Sequence, residues 1–378
     1  MRVKRIGIIK RIFVPIVAFL WSAGMSPALA QSSRAAGNAD WDRVVDAAKK
    51  EGRVVAAIPP SPELRKGLEE AFTKRFGIVV ESVPARGGAI IRRIVEESKA
   101  GVHYFDLHIG GTESIVKGLL PENVLDPVEP WFILPEVRDA KNWWGGHIWI
   151  DKTKRYIYNF SAYQTASLWH NTNLVRAEEI RTFDDLLDAK WKGKIGISDP
   201  RTPGSGASIW AYMFLIKGEE YLTRLVGQKL FIGRDLRLLT ENLAKGRVSI
   251  ALGIGYSEAL PFIKAALPIG ALPTPKEGLY TTGGYGHLTI VKNVPHPGAT
   301  KVFVNWLLGK EGQEIFSKAM GAPTRRLDVE TKWSKDFGVL AAKDGLTLEQ
   351  FYRMENQSEE RIYQVRDPAA ALARKLLD

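Results

Sequence analysis

Residues Arg53–Pro84 read RVVAAIPPSPELRKGLEEAFTKRFGIVVESVP, and this run decides the fold class. Arg53 to Ile58 is a short apolar run of strand character. Pro59-Pro60-Ser61-Pro62 then opens a helix, Ser61 suiting the N-cap and Pro62 the first turn. Leu64, Leu68, Ala71, Phe72 and Phe76 recur with helical spacing and form its buried stripe, and Gly77 ends it. Ile78 to Val83 is the next strand. Working outward, Ala89 to Lys99 is helical, and Tyr104 to Ile109 is a third strand that ends in Gly110-Gly111-Thr112. Upstream, Trp41, Val44, Val45 and Ala48 share one helical face that Gly52 closes. Alternating strands and helices with short glycine-containing joints predict a parallel sheet wrapped by helices.

A proline-rich stretch follows, with Pro121, Pro127, Pro130 and Pro135, and it closes at Gly145-Gly146. It reads as a long connection or the approach to a hinge. A second α/β unit comes next. Ala166 to Trp169 and Lys194 to Ile197 read as strands, and Thr182 caps a short helix over Phe183 to Leu187. The loop from Asp199 to Ala207 leads into a helix with Ile209, Tyr212, Met213 and Ile216 on its apolar face. Leu238 to Lys245 is helical, and Val248 to Ile254 is a strongly apolar strand. His287 to Val291 returns to strand character, and Pro297 opens a helix with Val302, Phe303, Trp306 and Leu307 on one side. The tail from Thr331 carries helical runs at Leu346–Met354 and Pro368–Leu377. No internal repeat stands out.

The first thirty residues read as a cleavable export signal. Arg2, Lys4, Arg5, Lys10 and Arg11 precede an apolar run from Ile12 to Trp21, and Ala28-Leu29-Ala30 supplies the small-residue cleavage pattern before Gln31. A membrane-spanning helix needs about 20 apolar residues, more than this run offers. The chain has no cysteine, hence neither a disulfide nor a thiol for a lipid anchor. These features predict a periplasmic protein, mature from about Gln31 and not inserted in the membrane. The chain carries a net charge of +11, of which the leader holds five positive charges. The remainder is too mild for the dense basic face of a nucleic-acid binder.

Two longer motifs carry a family resemblance. Lys190-Trp191-Lys192-Gly193-Lys194-Ile195, running on to Ile197-Ser198-Asp199-Pro200, is the first. His296-Pro297-Gly298-Ala299-Thr300, followed by Phe303, Trp306-Leu307-Leu308 and Glu311-Gly312-Gln313, is the second. In order and spacing, from about Trp41 to Asp328, the chain resembles the solute-binding proteins of bacterial ABC importers of the ferric-iron-binding type. The resemblance implies a two-lobed type II periplasmic-binding-protein fold, each lobe a mixed sheet flanked by helices, with a ligand cleft at a hinge crossed twice. It implies a monomer that captures a small molecule and delivers it to the importer's membrane subunits, with no cofactor. The expected division is lobe one over 31–147, lobe two over 148–262, a return to lobe one over 263–328, and a C-terminal extension over 329–378 packing on lobe one.

Ligands of open α/β sheets sit beyond the carboxyl ends of the strands. Lobe one offers Ser61, the Arg86-Gly87-Gly88 loop, and Gly111-Thr112 there, and lobe two offers Arg201 to Ala207 and Tyr256. In Gly204-Ser205-Gly206-Ala207, glycine lets backbone amides approach a ligand, Ser205 adds a hydroxyl, and the following helix points its positive end at the site. A plain helix cap explains the same residues equally well. The resemblance favours binding, because relatives hold an anion at the matching loop. Arg86, Arg201 and Thr202 are the further candidates for an anionic group, the arginines through paired hydrogen bonds. Ferric-binding relatives place two adjacent tyrosines where this chain has Tyr256-Ser257, and one phenolate makes a weak iron site. A small organic anion is therefore the expected cargo, with ferric iron on Tyr256 as the alternative. Tyr285, among Gly283, Gly284 and Gly286, is a further candidate contact or a hinge residue.

Catalysis is the other class to weigh. The six histidines show no metal-binding spacing. Gly255-Tyr256-Ser257-Glu258-Ala259 resembles a nucleophile elbow but lacks its last glycine. The expectation is a binding protein and not a secreted hydrolase.

Overall fold

Helix α1 (residues 41–51) leads into β1 (Arg53–Ile58), the strand that organises the first sheet. The computed structural model describes residues 41–378, except Arg86 and the side chain of Ser257. The leader expected over 1–30 and the cleavage point before Gln31 lie outside the described residues. Strand β1 is buried on both faces. Val54, Ala56 and Ile58 enter one core, and Val55 and Ala57 the other. Such a strand reads as an unbroken apolar run because helices cover both its sides.

Helix α2 (Pro62–Phe76) follows, with Ser61 at its N-cap and Gly77 closing it in the left-handed region at φ 69°. Then come β2 (Val79–Pro84), α3 (Gly87–Lys99), β3 (Leu107–Gly110) and α4 (Thr112–Ser114). Helix α4 continues into one wider turn over Ile115–Leu119, where the Leu120 N–H reaches back five residues to the Ile115 carbonyl. Strands β2 and β3 flank β1 in parallel, with Arg53 opposite Val79 and Ala56 opposite Leu107. Helices α2, α3 and α4 thus all begin at the carboxyl edge of this sheet.

After β4 (Leu125–Asp126) and α5 (Pro135–Arg138), the chain forms the hairpin β5 (Ile148–Trp149) and β6 (Tyr158–Asn159). Both belong to the first sheet, whose order is β2-β1-β3-β13-β6-β5, where β13 is His287–Val291 and also pairs with β4. The boundary expected at 147/148 therefore falls inside lobe one. Gly145 and Gly146, at φ 75° and 70°, make a turn within that lobe and not a crossing. The chain leaves after β7 (Tyr163–Thr165).

The second sheet has the order β10-β9-β11-β8-β12. It comprises β8 (Leu168–Asn171), β9 (Ile195–Ser198), β10 (Phe231–Gly233), β11 (Ile250–Leu252) and β12 (Ile269–Ala271). Helix α6 (Ser205–Val226), bent at Gly218, follows β9; α7 (Leu236–Ala244) precedes β11, and α8 (Tyr256–Lys264) follows it. Since β12 still pairs with β8, lobe two runs beyond the expected end at 262. The chain rejoins lobe one at β13 (His287–Val291), antiparallel to β3 with His287 opposite Gly110. Helices α9 (Pro297–Leu308) and α10 (Lys310–Met320) cover that lobe, with Phe303 and Trp306 packed on Phe72.

The tail holds β14 (Val339–Ala341), which pairs with β7, and then α11 (Leu348–Met354), α12 (Glu359–Arg361) and α13 (Asp367–Leu377). The expectation that the tail packs on lobe one agrees with α11, where Phe351 is buried with Ile148 and meets Trp144 edge-on at 5.6 Å, and needs correction for α13. Helix α13 lies on lobe two: the Trp210 indole N–H donates to the Ala369 carbonyl at 2.8 Å, and Ala369, Leu372 and Ala373 enter the lobe-two core. The cause is the apolar face of α6, which offers Trp210 and Met213 for burial. The architecture is thus an α/β, two-lobed fold with helices flanking each mixed sheet.

Candidate functional site

The loops that follow β2 and β3 meet at the edge of lobe one. A β-carbon on Gly87 would stand 2.8 Å from the Ser114 hydroxyl, so α3 begins against the first turn of α4. Gly88 beside it faces open space. Gly111 is the N-cap of α4 with extended backbone, its carbonyl accepts from the Ser114 hydroxyl, and Thr112 is buried. Tyr285 lies 43% exposed, its ring 4.0 Å from where a Gly111 β-carbon would be. These residues are brought together. Ser61 sits at the end of β1, where its hydroxyl accepts from the Leu64 N–H as a helix cap. Arg86 lies outside the described residues.

In lobe two, the first turn of α6 meets the end of β11. Ser205 donates its hydroxyl hydrogen to the Gly253 carbonyl. A β-carbon on Gly206 would come within 2.2 Å of the Ser198 carbonyl oxygen, and one on Gly253 within 2.9 Å of the Gly206 α-carbon. Glycine at 206 is therefore required by the packing of helix on strand. Neither the Gly204 N-cap of α6 nor the Gly255 N-cap of α8 supplies a side-chain cap. The start of α6 thus lies against Gly253, on the segment that leads from β11 into α8, and neither helix has a capping side chain on its first-turn N–H groups. Each start carries a partial positive charge.

Arg201 does not aim at this point. Its guanidinium is spread over both Asp199 carboxylate oxygens, at 2.9 and 2.8 Å, with Asp378 and the Leu377 carbonyl as further acceptors. Arg201 holds the Asp199 carboxyl below the usual carboxylate range, and the two carboxylates hold Arg201 in its charged form. The Thr202 hydroxyl bonds the Asp199 carbonyl. Both residues shape the loop. Ala207 lines a cavity of about 230 Å³ that also borders Glu113 and Lys117 of lobe one and Arg366 and Arg374 of the tail. The lobes approach each other across this space.

Tyr256 opens α8, half-buried, with its ring edge-on to Phe337 at 5.3 Å and tilted on Trp169 at 6.3 Å. Near the hinge, the sequence reading missed a polar group. A β-carbon on Gly284 would meet the Tyr163 hydroxyl at 2.3 Å, and one on Gly283 the His287 Nε2 at 2.7 Å. Burial raises the Tyr163 hydroxyl above its ordinary pKa and lowers the His287 imidazole to about 4. Only the glycines around Tyr285 hinted at this crowding. Glu113, Lys117, Arg366 and Asp367 were also missed, because surface charges far apart in sequence carry no local signal of pairing.

Two lobes, each with helices starting at the carboxyl edge of its sheet and facing the other, define a ligand-cleft protein. The chain belongs to the bacterial extracellular solute-binding protein family, whose profile matches residues 61–314. It is 24% identical over 277 residues to a periplasmic protein of Salmonella typhimurium provisionally named for 2-aminoethylphosphonate binding, covering 68% of this chain and 72% of that one. It is 30% identical over 140 residues to an uncharacterized Haemophilus influenzae protein, of whose length the match spans 39%. Among solved structures, the fold is similar to an iron- and citrate-bound Trichodesmium protein, FutA, at TM-score 0.65 and 20% identity, covering 86% of this chain and 99% of that one. It is also similar to the Actinobacillus pleuropneumoniae protein AfuA with fructose-6-phosphate, at TM-score 0.57 and 20% identity, covering 86% and 98%. No described helix is long and apolar enough to cross a membrane.

Proposed function

We propose that this chain is the periplasmic substrate-binding component of an ABC importer, and that its cargo is a small organic anion bearing a phosphonate, phosphate or carboxylate group. The approach of the uncapped α6 N-terminus, at Gly206, to Gly253 on the segment leading into the uncapped α8 supports this reading. Uncapped helix N-termini offer an anion several N–H donors and a favourable potential without a formal positive charge. On this reading Ser205 and Tyr256 contact the solute from lobe two, and Gly111, Thr112 and Tyr285 from lobe one. A relative's provisional 2-aminoethylphosphonate name and the sugar phosphate in a structural neighbour agree with an anionic group. The competing cargo is ferric iron, and against it stands Ser257 in the place of a second tyrosine beside Tyr256, whose ring packs on Phe337 and Trp169.

A thermal-shift panel of 2-aminoethylphosphonate, inorganic phosphate, citrate and citrate-free ferric iron tests the proposal. An anion at a hundredfold over its dissociation constant adds about 2.7 kcal/mol of apparent stability. An upward shift with an organic anion and none with citrate-free iron is the expected result. A shift with iron alone, accompanied by a visible tyrosinate-to-iron band, would replace this reading by the metal one. No shift with any of the four would remove its support.

A further inference from the structure

Two connections join the lobes as the fold class requires, through residues 166–167 and 272–286. The tail makes a third. Along one continuous helical path, Glu359–Leu377, the chain changes lobes within a single turn. Ile362 is fully buried with Ile115, Val116 and Leu119 of lobe one, whereas Val365 is buried with Trp210 and Leu222 of lobe two. From that point α13 belongs to lobe two, through Ala369, Leu372, Ala373 and the Trp210 hydrogen bond.

The contacts to lobe one are of a different kind. The Glu359 N–H donates to the Ile150 carbonyl, and the Lys152 N–H donates to the Glu359 carboxylate. Arg366 donates to Glu113 at 2.7 Å. Lys117 bridges Glu113 at 3.3 Å and also pairs with Asp367. Lys117, Arg366 and Arg201 each face a carboxylate, so the cavity beside them presents paired charges and not an anion seat. The two helices also share a distortion where they meet. Both Ile115–Leu119 and Ile362–Arg366 are widened by one residue, with N–H groups reaching back five positions. Such turns in otherwise regular helices gather at functional places.

We infer that the tail is an interlobe latch. Its last helix, α13, travels with lobe two, and the grip of the turn before it on α4 through Ile362, Arg366 and Asp367 holds the lobes together before any solute is bound. The two parts differ in strength for a physical reason. Helix α13 is held by burial of several apolar side chains, which salt does not weaken. The grip on α4 consists of one buried isoleucine and partly exposed ion pairs, which ionic strength screens, while Phe351 and the Glu359 hydrogen bonds hold the stretch before it on lobe one. Opening the cleft therefore releases the grip on α4 and leaves α13 seated. The latch lowers the population of open protein, and so sets how much of the closing step a solute must drive.

The test needs no solute, so its outcome is independent of the proposed cargo. The chain has no native cysteine, and spin labels at Lys66→Cys in α2 and Glu220→Cys in α6 report the lobe separation by pulsed dipolar spectroscopy. The full chain should give one short distance. Arg366→Ala with Asp367→Ala, or Ile362→Ala, should each add a longer one, and 1 M sodium chloride should shift the unmutated protein the same way. Far-ultraviolet circular dichroism checks that each variant is folded. The surface pair keeps the test open if Ile362→Ala does not fold. A distance distribution unchanged in Arg366→Ala/Asp367→Ala and in high salt would overturn the latch, as would a long distance alone in the unmutated protein.

Discussion

Gly206 and Gly253 pack backbone against backbone: a side chain on Gly253 would place its β-carbon 2.9 Å from the Gly206 α-carbon. The contact brings the start of α6 beside the segment that opens α8, so the proposed anion site and the packing share the same two residues. Replacing Gly206 by alanine forces a methyl group to within 2.2 Å of the Ser198 carbonyl oxygen, which is backbone and cannot swing away. Gly206→Ala should destabilise the protein by about 1–3 kcal/mol or more, as overpacking does. Urea unfolding with an unchanged slope measures it, and an unaltered midpoint would show that the strand gives way freely.

Two buried histidines make stability depend on pH. His108 and His287 are each lowered to about 4, first by desolvation, with Nδ1 set against the carbonyls of Ala57 and Gly110. Each Nδ1 must then carry the proton, and each Nε2 is left as a bare acceptor. Unfolding returns both rings to about 6.5, so the unfolded chain binds more protons between those values. The free energy of unfolding should be at its full value above pH 6.5 and fall as the pH drops towards 4. Two groups allow a slope of up to about 2.7 kcal/mol per pH unit. Urea midpoints from pH 7.5 to 4.5 check this, and a flat profile would contradict neutral, buried rings.

Asp199 acts in a lower window. Its folded pKa is depressed by Arg201, so its stabilisation is present above the ordinary carboxylate value and is lost as pH falls through the depressed one. Asp199→Asn should flatten the acid limb of the stability curve below about pH 4. Because Arg201 spends its hydrogen bonds on Asp199, Asp378 and Leu377, Arg201→Ala should lower the melting temperature and leave solute affinity within a few-fold. A hundredfold loss of affinity with the melting temperature intact would make Arg201 a direct ligand contact.

Arg325 is fully buried and faces backbone oxygens instead of a carboxylate. Its guanidinium donates to the carbonyls of Trp144, Gly146 and Asn159, beneath the rings of Trp143 and Tyr158. A planar fork spreads its five donors over three nitrogens and reaches all three carbonyls, whereas the donors of an ammonium radiate from one nitrogen. Arg325→Lys should therefore cost about 1–3 kcal/mol, from carbonyls left without donors in the core. Calorimetric melting of the two proteins side by side decides it, and an unchanged transition would mean that lysine or water serves the same oxygens.

Local chemistry in the sequence determined the elements around the first sheet. The Ser61 cap, the stripe from Leu64 to Phe76 and the stop at Gly77 each act within a few residues, and all three are found in α2. The glycine-bearing loops at strand ends were equally legible, because a helix start and a strand end announce themselves by residue type. Only the tertiary structure decided what those loops do. Gly206 is dictated by Ser198 and Gly253, Arg201 by Asp199 and the chain's last residues, and the tail's allegiance by the apolar face of α6. The crossing expected at Gly146 fails for the same reason, since a glycine turn looks alike inside a lobe and between lobes. Partners brought together across 50 to 250 residues are chosen by burial and charge in the assembled fold, and no local pattern records them.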